Sequence, residues 1–519
     1  MTIKTLVKPS EYHDSVSLML VARELAKLEG IQDAAVVMAT EANKSILADA
    51  GLLTPDAKKA TPNDLLIAVS AESDPLAADA LQKVENLLKK KASAEQTGEF
   101  RPKTIRGALS TQPEANVAVI SVAGRYAVDE AWDALQNDLH VLLFSDNVSI
   151  QDEIELKKYA SEHGLLLMGP GAGTAIINNV ALGFANALPS GPVGIASAAG
   201  TGLQEVSTLL ARRGVGISQG IGTGGRDLKK EVGGIMMLEG LKALQQDPST
   251  DVLVLISKPP ADEVAQGILE QVAASNKPTV VCFLGGDTVA AAEIPNVVPA
   301  STLSECALFA AQKVQPEIGD VSTLLAEENA KLEEQAKRLK PKLKAAQRYL
   351  RGLFSGGTLC YEAQVIWKDM LINPIYSNAP LPGGNILPES TKSYQHSAVD
   401  LGEEEFTIAR PHPMIDNELR IRRLLQEARD PQVGVILLDV VLGYGAHPDP
   451  TSELGKAIEE ARRLGRSENR ELLVVASVTG TENDPQGLSR SISTLEDAGV
   501  IVCDSNAAAA RLTGLLVSD

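Results

Sequence analysis

The sequence predicts an α/β protein of tandem doubly wound parallel-sheet domains, and three observations carry that expectation. Short apolar runs alternate with amphipathic helical segments, the order that parallel strands joined by crossover helices require. Aromatic residues make up only 3% of a chain that is 44% hydrophobic, so Ala, Val, Leu and Ile must fill the cores. Such cores suit strands buried on both faces. Finally, one strand–turn–helix sequence is written twice. Ala199-Gly200-Thr201-Gly202-Leu203-Gln204-Glu205 returns as Gly356-Gly357-Thr358-Leu359-Cys360-Tyr361-Glu362.

The elements follow in order. Residues 1–110 form an N-terminal α/β domain, with strands expected at Thr5–Val7, Ala34–Met38 and Asp64–Val69. Helices are expected at Asp14–Leu28 and Pro75–Lys90, and the polar stretch Lys89–Lys103 reads as a linker. Residues 111–190 form a second unit: strand Val117–Val122, helix Asp129–Gln136, strand Val141–Phe144, helix Ile150–Glu162 and strand Leu165–Met168. The third unit, 191–318, has strands at Val193–Ala196, Ile217–Gln219, Val252–Ser257 and Thr279–Phe283. Residues 319–347 hold a charged segment, Glu327–Lys344, that reads as a solvated connecting helix. The fourth unit, 348–519, has strands at Tyr349–Phe354, Val433–Leu438, Leu472–Ser477 and Val500–Cys503. In the third and fourth units a helix stops at Asp-Pro (Asp247-Pro248, Asp430-Pro431) just before a buried strand, because proline removes the next amide donor. The two units read as diverged copies of one fold.

Composition bounds the function. A net charge of −19 argues against nucleic acid or an anionic membrane as partner. Four cysteines without metal or disulfide spacing suit a reducing compartment, and no run of about 18 apolar residues spans a membrane. The expected location is the cytoplasm. No metal motif, P-loop lysine motif or serine-hydrolase elbow occurs, and the first strand–helix connection, Lys8 to Asp14, has no glycine for a dinucleotide turn.

Candidate chemistry gathers at the glycine turns. A helix that begins at a glycine turn directs free amides and the positive end of its dipole at one point, an anion site. Gly200, Thr201, Gly202, Gly357 and Thr358 are therefore the expected phosphate cradle. Glu205 and Glu362, one turn in, are candidates to orient a base or accept a proton; the plainer alternative is a favourable charge near a helix start. Gly224, Gly225 and Arg226, in a glycine-dense loop after a strand, suit an acyl or phosphoryl ligand. Arg410-Pro411-His412-Pro413 is its counterpart in the fourth unit, where His412 and Arg410 are candidate base, donor or phosphate ligand. Lys258 and His447 leave strand ends where open α/β sheets bind ligands. His13 and His396, a loop residue on this reading, are taken as bystanders.

These residues together resemble the FdrA family. Met168-Gly169-Pro170, the two glycine–threonine turns, Gly222-Thr223-Gly224-Gly225-Arg226-Asp227-Leu228, Ser257-Lys258-Pro259-Pro260 and the Arg410–Asp416 loop carry the resemblance over essentially the whole chain. It implies Rossmann- and flavodoxin-like domains of the succinyl-CoA synthetase type, without an ATP-grasp domain. Residues 111–190 would be the CoA-binding-like unit, 191–318 alpha-like and 348–519 like the beta C-terminal domain. In the synthetases two such helices point at a phosphorylated histidine, and Glu205 would match the glutamate that steadies it. Here the corresponding loop is Leu284-Gly285-Gly286-Asp287-Thr288, without histidine, and Gly171-Ala172-Gly173 replaces the family's usual Asp-Cys-Gly.

The resemblance further implies a subunit of oxamate carbamoyltransferase type, which exchanges a carbamoyl group between oxalurate and phosphate. The expected activity is phosphate-linked acyl or carbamoyl transfer on a small carboxylate or carbamoyl substrate. Phosphate is the expected co-substrate and CoA a possible one; the expected partners are like and unlike subunits. The alternatives are an ADP-forming acyl-CoA ligase and a non-catalytic scaffold.

Overall fold

The computed structural model describes residues 2–9, 11, 15–26, 28, 30–40, 43–44, 47–48, 50–94, 102–407 and 410–518. These form two compact units, 1–103 with 408–410, and 104–407 with 411–519.

The first unit holds a three-stranded sheet. β3 (Leu65–Ala71), every residue of it buried, lies between β1 (Thr2–Lys8) and β2 (Ile31–Met38) and is antiparallel to both. The expectation of a parallel sheet fails here. The crossover helix Ser15–Ala26 makes β1 and β2 parallel but leaves a one-strand gap, and β3 fills it in the opposite sense. Apolar periodicity reports that a strand is buried, not which way it runs. The linker expected from Lys89 is also corrected, because the helix Asp74–Ala94 continues through its first six residues. The helical span set at Asp14–Leu28 is described only in part, and His13 lies outside the described residues.

The second unit begins with the helix Ile105–Thr111 and a small parallel sheet, β4 (Val117–Ile120), β5 (His140–Leu143) and β6 (Leu167–Met168). A hairpin that the sequence reading did not foresee follows, β7 (Thr174–Ile177) and β8 (Val180–Gly183). Its two-residue turn, Asn178-Asn179, has φ of 48° and 65°, the left-handed pair that tight hairpins use and asparagine tolerates.

Two seven-stranded sheets form the rest. The first is ordered β13-β12-β11-β9-β10-β7-β8, with β9 Ser190–Ser197, β10 Ile217–Gly222, β11 Val252–Ser257, β12 Thr279–Phe283 and β13 Val297–Pro299. The second is β16-β15-β17-β14-β18-β19-β20: β14 Tyr349–Phe354, β15 Ile375–Ser377, β16 Asn385–Ile386, β17 His396–Asp400, β18 Val433–Val441, β19 Leu473–Thr479 and β20 Ile501–Cys503. The parallel cores β10-β9-β11-β12-β13 and β17-β14-β18-β19-β20 share one order, second, first, third, fourth, fifth. After the first strand of each runs a glycine-turn helix, Gly200–Arg212 or Gly357–Met370. Thr201 and Thr358 are second in their helices, and Glu205 and Glu362 are sixth, so the written repeat is also a structural one.

Both sheets share one hydrophobic core, in which Leu203, Cys360 and Ala509 meet. The charged helix, Val321–Leu339, buries Val321, Leu332 and Ala336, the last two within that core; it is a packed element rather than a solvated connector. His396 lies in β17 rather than in a loop. It is buried, accepts the Leu350 amide at Nδ1, and is held neutral by burial, which pushes its pKa down to about 4. No helix among the described residues is long and apolar enough to cross a membrane.

Candidate functional site

The two glycine turns face each other. A β-carbon on Gly356 would lie 2.9 Å from Thr201 Cγ2, and one on Gly202 would lie 3.1 Å from Thr358 Cγ2. The helix starts approach this closely because these positions lack side chains. The Thr358 amide donates to Thr201 Oγ1 at 3.3 Å, so one helix start is capped by the other's threonine.

The repeat is not symmetric in charge. Asp439, inside the apolar strand β18, accepts the amides of Ser355 (2.8 Å) and Gly356 (2.7 Å) and is itself paired with the buried Arg420 at 3.1 Å. Asp400, the last residue of β17, sets Oδ2 2.5 Å from the β-carbon position of Gly357. Sheet register identifies their counterparts in the first sheet. Leu353 pairs with Leu438, Phe354 with Asp400, and Ser197 with Ile256 and Gly222. Ile256 and Gly222 therefore stand where the second sheet has Asp439 and Asp400. The Gly357 start is filled by the protein's own carboxylates. The amides of Gly200, Thr201 and Gly202 meet no acceptor among the described residues, and the nearest neighbour a Gly200 side chain would find is Thr174 Oγ1, at 3.6 Å. The amides of Gly357 and Leu359 meet none either, so the difference lies in the carboxylates, which occupy the second start and leave the first open.

Around the two starts stand several expected residues. Gly224 has φ +92° and packs on the Gly169–Pro170 backbone, while the Gly225 β-carbon position is 4.0 Å from the Ala198 carbonyl. Lys258 leaves the end of β11, places Nζ 5.4 Å from the Tyr361 ring centre, and pairs with no carboxylate among the described residues. Its charge acts on Asp400 and Cys360. His412 is half-buried, its ring 5.5 Å from Phe184, whose carbonyl accepts the Thr174 hydroxyl. Its Nδ1 accepts the Met414 amide at 3.2 Å, and Nε2 lies 2.7 Å from the β-carbon position of Gly402. Burial, aided by Arg420, lowers the His412 pKa to about 4, so the ring is neutral at physiological pH. It is a hydrogen-bonding group there, not a cation.

Other expected site residues have different tasks. Glu205 accepts the Asn506 amide at 2.9 Å and the Thr479 hydroxyl; Glu362 accepts the Leu303 amide at 2.6 Å and Asn506 Nδ2 at 2.7 Å. Asn506 and Leu303 open the last helices of the two repeats, Asn506–Val517 and Leu303–Val314. Each repeat thus caps the other's final helix with its sixth-position glutamate. Arg226 is likewise occupied, by Glu153 Oε2 and the Val148 carbonyl, both at 2.9 Å. Glu153 continues to the fully buried Lys157 and on to Asp227, at 2.8 Å each. Arg410 is exposed and falls in the first compact unit. His447 is buried and accepts the Asp449 amide, a structural histidine. Asp400 and Asp439 escaped the sequence reading. The signal for Asp439 was a lone acid within Val433-Gly434-Val435-Ile436-Leu437-Leu438-Asp439-Val440-Val441.

Three family models match the chain: "AllF, heavy metal-associated domain" over residues 1–103, "CoA binding domain" over 190–285 and "CoA-ligase" over 353–516. The first match holds no cysteine and one histidine, His13, so the thiolates that soft metals select are missing and no metal chemistry is assigned to it. The CoA-binding description falls on the repeat that carries Gly200. "Uncharacterized protein YahF" of Escherichia coli is 44% identical over all of this chain and 98% of its own length. A succinate–CoA ligase (ADP-forming) alpha subunit of Methanothermobacter thermautotrophicus is 28% identical over 35% of this chain and 60% of its own. An ADP-forming sulfoacetate–CoA ligase subunit of Bilophila wadsworthia is 25% identical over 36% and 64%.

Proposed function

We propose, from the premise that this chain belongs to the family of Escherichia coli YahF and carries CoA-ligase-type domains, that it transfers an acyl or carbamoyl group to and from phosphate. The observation that carries this reading is the asymmetry of the paired turns. Three unpartnered amides and a helix dipole converge at Gly200, while Asp439 and Asp400 occupy the opposite turn. Such an arrangement takes one external oxyanion, not two. The amides bind the phosphate oxygens, and the same preorganised dipoles stabilise charge that develops as the group transfers. Lys258 adds a cation at the rim.

The loop that would carry a phosphorylated histidine in the synthetases has none. Its Gly285 instead packs toward Val365 on the Gly357 helix, its β-carbon position 3.0 Å from that side chain. Phosphate as direct acceptor fits a site without that relay. By resemblance to FdrA-type proteins the chain acts as one subunit of an oxamate carbamoyltransferase, with unlike subunits completing the enzyme. The test is phosphorolysis: the chain with candidate partner subunits, oxalurate and phosphate should form carbamoyl phosphate, and the Gly200→Val variant should not.

A second reading, ADP-forming acyl-CoA ligation, is favoured by the CoA-binding and CoA-ligase matches. This chain spans about 60% of the length of the ligase subunits it resembles. Incubation with ATP, CoA and small carboxylates separates the two, since only a ligase releases ADP and passes through a phosphoprotein.

A further inference from the structure

Asp400 is an acid of the cleft that the fold leaves half-used. The residue is 3% exposed. Oδ1 accepts the Gly402 amide at 2.9 Å, whereas Oδ2 has no hydrogen-bond donor among the described residues and rests over Gly357, beside the Gly356–Thr201 contact between the two turns. Asp439, by contrast, is saturated by two amides, the Ser355 hydroxyl and Arg420. A carboxylate with an unmatched oxygen, in a cleft that also collects an external anion, has no cation paired with it, and Lys258 acts on it only through its charge.

We propose that Asp400 is the proton-exchanging group of this cleft, neutral when the Gly200 turn holds its anion and able to pass its proton to the group that leaves. The inference rests on the transfer reading above. In that reaction a phosphate oxygen bonds to the carbamoyl carbon, and the bond from that carbon to the donor's amide nitrogen breaks. Asp400 gives its proton to the departing nitrogen and takes the one that the attacking phosphate hydroxyl releases, so protons balance over a turnover.

The surroundings agree. Lys258 faces Asp400 from the end of β11, Asp439 from β18, Cys360 from the Gly357 helix, Glu403 from the following loop and His412 from across Gly402. Lys258 favours the ionised acid, but burial first and Glu403 next oppose it, and the pKa is pushed up to about 7. His412 is neutral there and Cys360 is held as a thiol by burial, so neither supplies a compensating charge.

Calorimetric titration with sulfate, a dianion across the relevant range, tests this without requiring turnover. On the wild-type chain the dissociation constant should rise about tenfold per pH unit above 7, with close to one proton taken up per sulfate in buffers of different ionisation enthalpy. Asp400→Asn, isosteric with the neutral acid, should bind sulfate with a nearly flat pH dependence and take up no proton. If that variant keeps the wild-type pH dependence, Asp400 is not the group. If Asp400→Asn does not fold, the wild-type proton count decides, and a count of zero overturns the proposal. A wild-type chain that binds no sulfate even at pH 6 removes the anion cradle itself, and both readings fall together.

Discussion

Replacing Glu362 by glutamine should change how stability depends on pH. Glu362 is buried at the seam of the two repeats, and its pKa is raised from 4.5 to about 7, first by burial and then, against the bonds from Asn506 and Leu303, by the Glu205 charge. A carboxyl whose folded-state pKa is raised favours the fold fully below its unfolded value. That advantage is lost as pH rises from 4.5 to about 7. At about 1.4 kcal/mol per pH unit the interval is worth about 3 kcal/mol, roughly 3–4 °C in the midpoint of a unit of about 400 residues. Glutamine keeps an acceptor for the Leu303 amide but never ionises. It presents an amide to Asn506 Nδ2, and the Asn506 Oδ1, buried without a partner, can receive it after an amide flip. Thermal melts of both proteins from pH 4 to 8 give the difference curve. The variant should gain on the wild type by about 3 kcal/mol between pH 4.5 and 7 and change little above. Parallel curves over that interval would refute the reasoning.

Valine at Gly357 meets Asp400 Oδ2 at 2.5 Å and should lower stability measurably, whereas valine at Gly200 meets only Thr174 at 3.6 Å and should leave melting nearly unchanged while abolishing sulfate binding. Equal melting of the two variants would contradict the asymmetry. Lys157→Met leaves Glu153 and Asp227 buried without their shared cation, an expected loss of about 3–5 kcal/mol in denaturant unfolding; a loss under about 1 kcal/mol would show that the triad relaxes. The His412 ring should titrate near pH 4 by NMR, so a midpoint above 6 would mean that it carries charge in the cleft.

Much of this protein was readable because its signals are local. A strand, a glycine turn and a helix start lie within a dozen residues, and both copies of that passage form in the structure as the sequence predicts. Four strands of each large sheet follow from apolar runs and Asp-Pro stops, which act over one or two turns of chain, whereas β13 and β15 to β17, like the β7–β8 hairpin, did not show in that pattern. The direction of β3 in the first sheet was not readable, since burial imposes the same apolar run on a parallel or an antiparallel strand. The carboxylates of the site were not readable for a different reason. Asp400 and Asp439 reach the Gly357 turn only through the register of β17 and β18 against β14, and their neighbours in sequence are ordinary strand residues. Glu205 and Glu362 stand near glycine turns in the sequence, but only the fold sets another helix's first amide against each. Local chain chemistry determined that this protein has two glycine-turn helix starts. Only the pairing of distant strands decided that one of them is already filled, because a buried carboxylate at one register position and an isoleucine at its equivalent differ by a charge.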